Sequence, residues 1–149
     1  MIREIRVNDL EPILALDKLV LGSNWTGEDY HFEIINKDSL CLLIEEDFEI
    51  KAFLIFRKTY LDAELLQIAV APKFQRQQFA SILLNEAIQI LTKLEVEDLH
   101  LEVSESNDGA LKFYEKHGFV SMGIRKNYYG NGKNAIRMRK RLFYVDFSD

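Results

Sequence analysis

Apolar and charged residues alternate over Ile2–Arg6, which predicts a short strand. Asn8 or Asp9 can cap a helix that follows, with Leu10, Ile13, Leu14 and Leu16 on or near its inner face. Thr26-Gly27-Glu28-Asp29 sets a threonine ahead of two acids, which suits the amino end of a second helix running to about Asn36. Three apolar runs come next, Leu40–Glu45, Ile50–Lys58 and Leu61–Val70, parted by turns short enough for antiparallel hairpins. The third is apolar at nearly every position from Leu65 to Val70, as expected of a strand covered on both faces. Pro72 ends it. A helical stripe of Phe79, Leu83, Ala87, Ile90 and Leu94 then predicts a long helix over Arg76–Leu94. A strand at Asp98–Val103, a helix at Asn107–His117 stopped by Gly118, and strands at Phe119–Arg125 and Ala135–Phe143 complete the pattern.

The order β-α-α-β-β-β-α-β-α-β-β puts hairpins first and a crossover in the middle. It predicts one α/β domain over residues 1–149, a mixed sheet with helices on both faces. A crossover of this kind sets a crevice at the carboxyl ends of the strands beside it.

With 48% hydrophobic and 29% charged residues and two prolines, the chain can close one core, and no disordered linker is expected. No apolar run follows a basic start and none is long enough to span a bilayer, so neither a secretory signal nor a membrane partner is expected, and the cytosol is the expected compartment. The lone Cys41 lies in an apolar run and reads as a buried thiol. His31, His100 and His117 lack metal-ligand spacing, and no metal is implied. A net charge of −5 argues against general nucleic-acid binding. Residues 125–141 nevertheless hold seven basic side chains and no acid, leaving −12 on the remainder. That asymmetry fits either an anionic partner or an edge strand protected by charge.

The junction Ile68-Ala69-Val70-Ala71-Pro72-Lys73-Phe74-Gln75-Arg76-Gln77-Gln78-Phe79-Ala80 carries a buried strand into a polar loop that opens a helix. Free N–H groups and the helix dipole favour an anion there, and a pyrophosphate suits it. The segment IAVAPKFQRQQFASILL resembles the acetyl-CoA motif of the GCN5-related (GNAT) acetyltransferases, and LEVSESNDGALKFYEKHGF resembles that family's next motif. RKNYY and Trp25 are similar to the ribosomal-protein-alanine N-acetyltransferases, the RimI group. The resemblance follows the element order of nearly the whole chain, most specifically over residues 64–129.

The resemblance implies a splayed sheet in which acetyl-CoA binds along the backbone of Ile68, Ala69 and Val70. The loop and helix start of Arg76, Gln77, Gln78, Phe79, Ala80 and Ser81 would surround its pyrophosphate, and Asn107 would contact the coenzyme as well as cap its helix. Gln78 stands where the family has glycine. If the loop has already entered helical geometry there, φ is negative and the glutamine costs little.

Acetyl transfer needs a neutral amine and a proton for the departing thiolate. Glu102 shares a strand face with His100, and by resemblance it is the base, with Glu64 as a rival. Tyr114, read from the residues alone as a core aromatic, is by resemblance the acid. Trp25, Tyr128 and Tyr129 would bind the acceptor. The expected reaction moves acetyl from acetyl-CoA to the N-terminal alanine of a ribosomal protein. The alternatives are another amine, such as a small molecule or a lysine, or a domain that holds coenzyme without turnover.

Overall fold

The computed structural model describes residues 1–128, 130 and 132–143. Among them, seven strands form one sheet: β1 (Ile2–Glu4), β2 (Ser39–Glu46), β3 (Glu49–Thr59), β4 (Asp62–Val70), β5 (Asp98–Ser104), β6 (Val120–Arg125) and β7 (Ala135–Arg141), in the order β1-β2-β3-β4-β5-β7-β6. Four α-helices lie among them: α1 (Leu10–Leu16), α2 (Gly27–Ile35), α3 (Phe79–Lys93) and α4 (Asp108–Lys116).

Alternation along the strands divides the apolar side chains between two cores. Ala52, Leu54 and Phe56 of β3 and Leu99, Leu101 and Val103 of β5 meet Leu83, Leu84, Ala87 and Leu91 of α3 and Tyr114 of α4. Phe53 and Ile55 point the other way and meet Ile13 and Leu16 of α1 and Tyr30 of α2. Helices α3 and α4 therefore cover one face, and α1 and α2 cover the first strands of the other. Cys41 is buried in the second core, and burial pushes its thiol up to about 12.

Several local expectations are corrected. Helix α3 opens at Phe79 and not at Arg76, because Arg76 (φ 64°) and Gln78 (φ 67°) adopt left-handed backbone. Asp9 does not cap α1 with its side chain; its carboxylate takes the Arg6 N–H at 2.7 Å and the Arg3 guanidinium at 2.8 Å. Helix α1 widens at once into a π-helical segment, Asp17–Leu21, closed by Gly22 in left-handed backbone (φ 57°) with its N–H on the Asp17 carbonyl at 2.7 Å. The basic strand β7 is not an edge: it lies between β5 and β6. Its arginines are held by carboxylates opposite. Arg139 and Arg141 both reach Asp98, at 2.9 and 3.2 Å, and keep its carboxyl below the usual range against the opposing effect of burial.

The feature that positions the site is a split in the sheet. Strands β4 and β5 are parallel and pair only at Asp62↔Asp98, Ala63↔Leu99 and Glu64↔His100. Beyond that point β4 keeps β3 on one side as far as Val70, while β5 keeps β7 as far as Ser104.

Candidate active site

Ile68, Ala69 and Val70 end β4 along the open side of the split. The Ala71 N–H donates to Lys51 O at 2.8 Å, so Ala71 faces β3. Antiparallel alternation then turns the backbone groups of Ala69 to β3 and those of Ile68 and Val70 into the split. The Val70 carbonyl accepts from Gln75 Nε2 at 3.2 Å, consistent with that orientation. A groove of about 340 Å³ opens here, lined by Val20, Ile68, Ala69, Val70, Gln75 and Ala80 together with Ala110, Phe113 and Tyr114 of α4. Val20 belongs to the α1–α2 side and Tyr114 to the α3–α4 side, so the groove draws walls from both faces.

At the mouth, a 3₁₀ turn (Pro72–Phe74) leads into the loop before α3. Gln78 takes the N-cap position of α3 with φ 67° and makes no side-chain cap bond. The condition under which Gln78 would cost little, a loop already in helical geometry with negative φ, is therefore not met. Gln78 holds a conformation that favours glycine by about 1–2 kcal/mol. Its side chain is exposed and is not part of the groove lining. Arg76 and Gln77 are also exposed. Phe79 packs edge-on to Phe74, and Ala80 alone of this stretch enters the groove wall. Ser81 Oγ lies 3.0 Å from His117 Nε2 and ties the first turn of α3 to the end of α4. Burial, Lys116 and Lys140 hold the His117 imidazolium below its ordinary pKa.

Asn107 caps α4 through Oδ1, which accepts the Ala110 N–H at 3.1 Å. One and two turns further on, Leu111 and Tyr114 point inward. Tyr114 is 7% exposed, packed edge-on to Phe113 and Phe119, and forms part of the groove wall.

Glu102 lies across the sheet from Tyr114. Its neighbours Leu101 and Val103 face α3 and α4, so Glu102 projects from the opposite face, where among the described residues no helix packs on β5. Arg125 Nη1 donates to Glu102 Oε1 at 2.8 Å, and Arg137 Nε stands 3.8 Å away. Glu102 Oε2 is buried and accepts no hydrogen bond from the described residues. The Arg125 guanidinium rests 4.7 Å from the centre of the Tyr128 ring. Burial, and after it the Glu102 carboxylate, push the Tyr128 phenol up. Glu64 is exposed at the last rung before the split. Tyr129 lies outside the described residues.

Trp25 sits on the loop before α2, on the same face as Glu102. Its ring leans on Tyr30 at 4.8 Å, and its loop is bound to β4 through Gln67 Nε2, which donates to Ser23 Oγ at 3.2 Å.

Ile68, Ala69, Val70, Ala80 and Tyr114 thus share one groove. Glu102 and Tyr128 gather on the other face, which is also the face that the Trp25 loop packs on. The lining residues Val20, Gln75, Ala110 and Phe113 were not expected from the sequence. Only Gln75 carried a signal, as a polar residue in the loop before α3. In the sequence Arg125 is one member of a basic run, and its pairing with Glu102 depends on a bulged β6–β7 register that periodicity does not reveal. Among the described residues no cluster of three or more His, Cys, Asp or Glu is placed to hold a metal, and no helix is long and apolar enough to cross a membrane.

A sheet split between its two central parallel strands, with a helix amino end at the mouth and an inward tyrosine on its wall, is the arrangement that the resemblance to acyl-transferring enzymes implies. The model of the Acetyltransferase (GNAT) family matches residues 8–119, and the chain belongs to that family. It is an acetyl-CoA-dependent N-acetyltransferase. Within the family it is similar to a Bacillus subtilis protein provisionally named ribosomal protein bS18-alanine N-acetyltransferase, 30% identical over 92% of each chain. A ribosomal protein bS18-alanine N-acetyltransferase of Haemophilus ducreyi is 40% identical over 66% of this chain and 71% of its own. The crystal structure of the Escherichia coli ribosomal-protein-S18-alanine N-acetyltransferase superposes with a TM-score of 0.91 at 27% identity, over 100% of this chain and 97% of that one.

Proposed function

We propose that this enzyme acetylates the α-amino group of a protein that begins with alanine, with the N-terminus of a ribosomal protein as the acceptor. The observation that carries the reading is the groove passing through the split, with Tyr114 on one face of the sheet and Glu102 on the other. Two substrates can enter such an opening from opposite sides. The names of the relatives supply the acceptor.

On the α3–α4 side, Ile68 and Val70 turn backbone groups into the split, where the amide groups of the coenzyme arm add to β4 like a strand and the Gln75 amide gives way at the Val70 carbonyl. The loop Arg76–Ser81 and the amino end of α3 take the pyrophosphate. Bound there, acetyl-CoA supplies the activated acyl group. Tyr114, in the same wall, is placed to give its phenolic proton to the departing thiolate.

The acceptor enters on the side of Glu102, Tyr128 and Trp25. An α-amino group has a pKa near 7.7–8.0, so it needs only modest help to lose its proton. Arg125 holds Glu102 Oε1, and the Glu102 carboxylate takes that proton directly or through a water. A ribosomal-protein acceptor also agrees with the cytosolic compartment expected from the sequence.

The test uses acetyl-CoA and peptides beginning with alanine, alongside the same peptides with blocked N-termini. Acetylation of the free terminus only supports the proposal. Modification of lysine side chains or of small amines alone assigns a different acceptor.

A further inference from the structure

The mechanism leaves four buried carboxylates unused, Asp9, Asp17, Glu33 and Asp98, and Asp17 is the least exposed of them. Asp17 is fully buried at the start of the π-helical segment. Its Oδ1 accepts the Ser23 N–H at 3.0 Å. Its Oδ2 accepts the Ser23 hydroxyl at 2.6 Å and the Tyr30 hydroxyl. A charge taken out of water is tolerated only with such a full set of donors. Tyr30 is itself fully buried between Trp25 and Phe53, and burial together with Asp17 pushes its phenol far up, so it stays a donor.

Ser23 is the hub. A hydroxyl has one proton to give and two lone pairs to fill. Here the proton goes to Asp17, and the lone pairs take Gln67 Nε2 of β4 and the Trp25 N–H, each at 3.2 Å. Lys18 Nζ closes the loop from outside by donating to the carbonyls of Ser23 and Trp25, at 2.7 and 2.8 Å. The π-helical segment lets one short stretch serve both sides of the split: Val20 reaches the groove wall, while Asp17 anchors the loop that carries Trp25.

We infer that Asp17, Ser23 and Gln67 form a latch that fixes the Trp25 loop against β4 and so builds the acceptor wall of the site before any substrate arrives. These are positioning residues and touch neither the coenzyme nor the reacting atoms. The inference rests on the acceptor side proposed above, because the loop shares a sheet face with Glu102 and not with Tyr114.

The test compares Ser23→Ala with Ser23→Thr, which keeps the hydroxyl. Trp25 is the sole tryptophan, so its emission reports the loop directly. At a temperature where circular dichroism shows both variants folded, Ser23→Ala is expected to shift Trp25 emission to the red and increase its quenching by acrylamide. With an alanine-initiated peptide its KM is expected to rise about tenfold, the effect of one hydrogen bond to a charged group, with acetyl-CoA affinity and kcat little changed. Ser23→Thr is expected to stay near the parent in both readouts. Unchanged Trp25 emission and quenching in Ser23→Ala would overturn the latch, as would a loss of acetyl-CoA affinity equal to the loss for the peptide. If the parent enzyme does not acetylate the peptide, the proposed acceptor fails, and the Trp25 measurement alone decides the latch.

Discussion

Glu64 stands opposite His100, and no later residue of β4 meets β5. That last rung fixes where the sheet opens. The backbone assigned to the coenzyme arm, Ile68 and Val70, lies beyond it on β4, and Glu102 lies two residues beyond it on β5. Had the ladder run on to Val70, its backbone groups and those of Ile68 would be satisfied by β5 and closed to a ligand.

Tyr114 is the first residue to test. Tyr114→Phe keeps the aromatic packing against Phe113 and Phe119 and removes only the hydroxyl. Turnover followed by thiol release is expected to fall by about a hundredfold or more, the usual contribution of a general acid. Affinity for acetyl-CoA is expected to stay close to the parent value.

Glu102→Gln separates proton removal from architecture. The amide keeps the size of the side chain and loses the charge that pairs with Arg125. A drop in kcat of roughly a hundredfold is expected, with acetyl-CoA binding by calorimetry unchanged. Since the ion pair is largely exposed on the Arg125 side, the expected change in stability is small.

Gln78→Gly should improve the protein in two respects. It relieves a left-handed residue, and after the extra chain entropy of glycine the net gain is about 0.5–1 kcal/mol. It also clears the approach to the loop before α3. A slightly higher Tm and tighter acetyl-CoA binding are expected; a lower Tm would mean that the Gln78 side chain contributes more than its backbone costs.

His117 makes stability depend on mild acid. Its pKa is held below the ordinary value near 6.5, so the folded protein favours the neutral ring. Its contribution is complete above that value and is lost as pH falls through the depressed folded pKa. The parent should therefore lose more stability than His117→Gln between about pH 7.5 and pH 5, measured by urea denaturation. Equal slopes would show that the ring titrates alike in both states.

Much of this architecture was legible in the chain. The apolar run Leu65–Val70 followed by Pro72 marked the central strand and its end, and the stripe from Phe79 marked α3, because burial on both faces and on one helical face leave distinct periods. Thr26 and Asn107 marked helix starts through side chains that do cap them. The facing of Glu102 away from Leu101 and Val103 followed from strand alternation. Three things were hidden. The split depends on which residues of β4 and β5 fail to pair, and pairing is a property of two distant segments. The π-helical segment at Asp17–Leu21 has the same apolar spacing as an ordinary helix end, and the buried charge that explains it finds its partners only after Ser23 and Tyr30 fold back. The left-handed backbone of Gln78 breaks a local preference, so residue type pointed the wrong way.

The most direct test of the central claim is amide hydrogen exchange at Ile68, Ala69 and Val70, with and without acetyl-CoA. The Ala69 N–H faces β3 and is expected to be protected in both states. The N–H groups of Ile68 and Val70 face the split and are expected to exchange quickly in the free enzyme and slow markedly when acetyl-CoA is bound. Unchanged exchange at Ile68 and Val70 on saturation with acetyl-CoA would contradict the account, because it would place the coenzyme somewhere other than in the opening of the sheet.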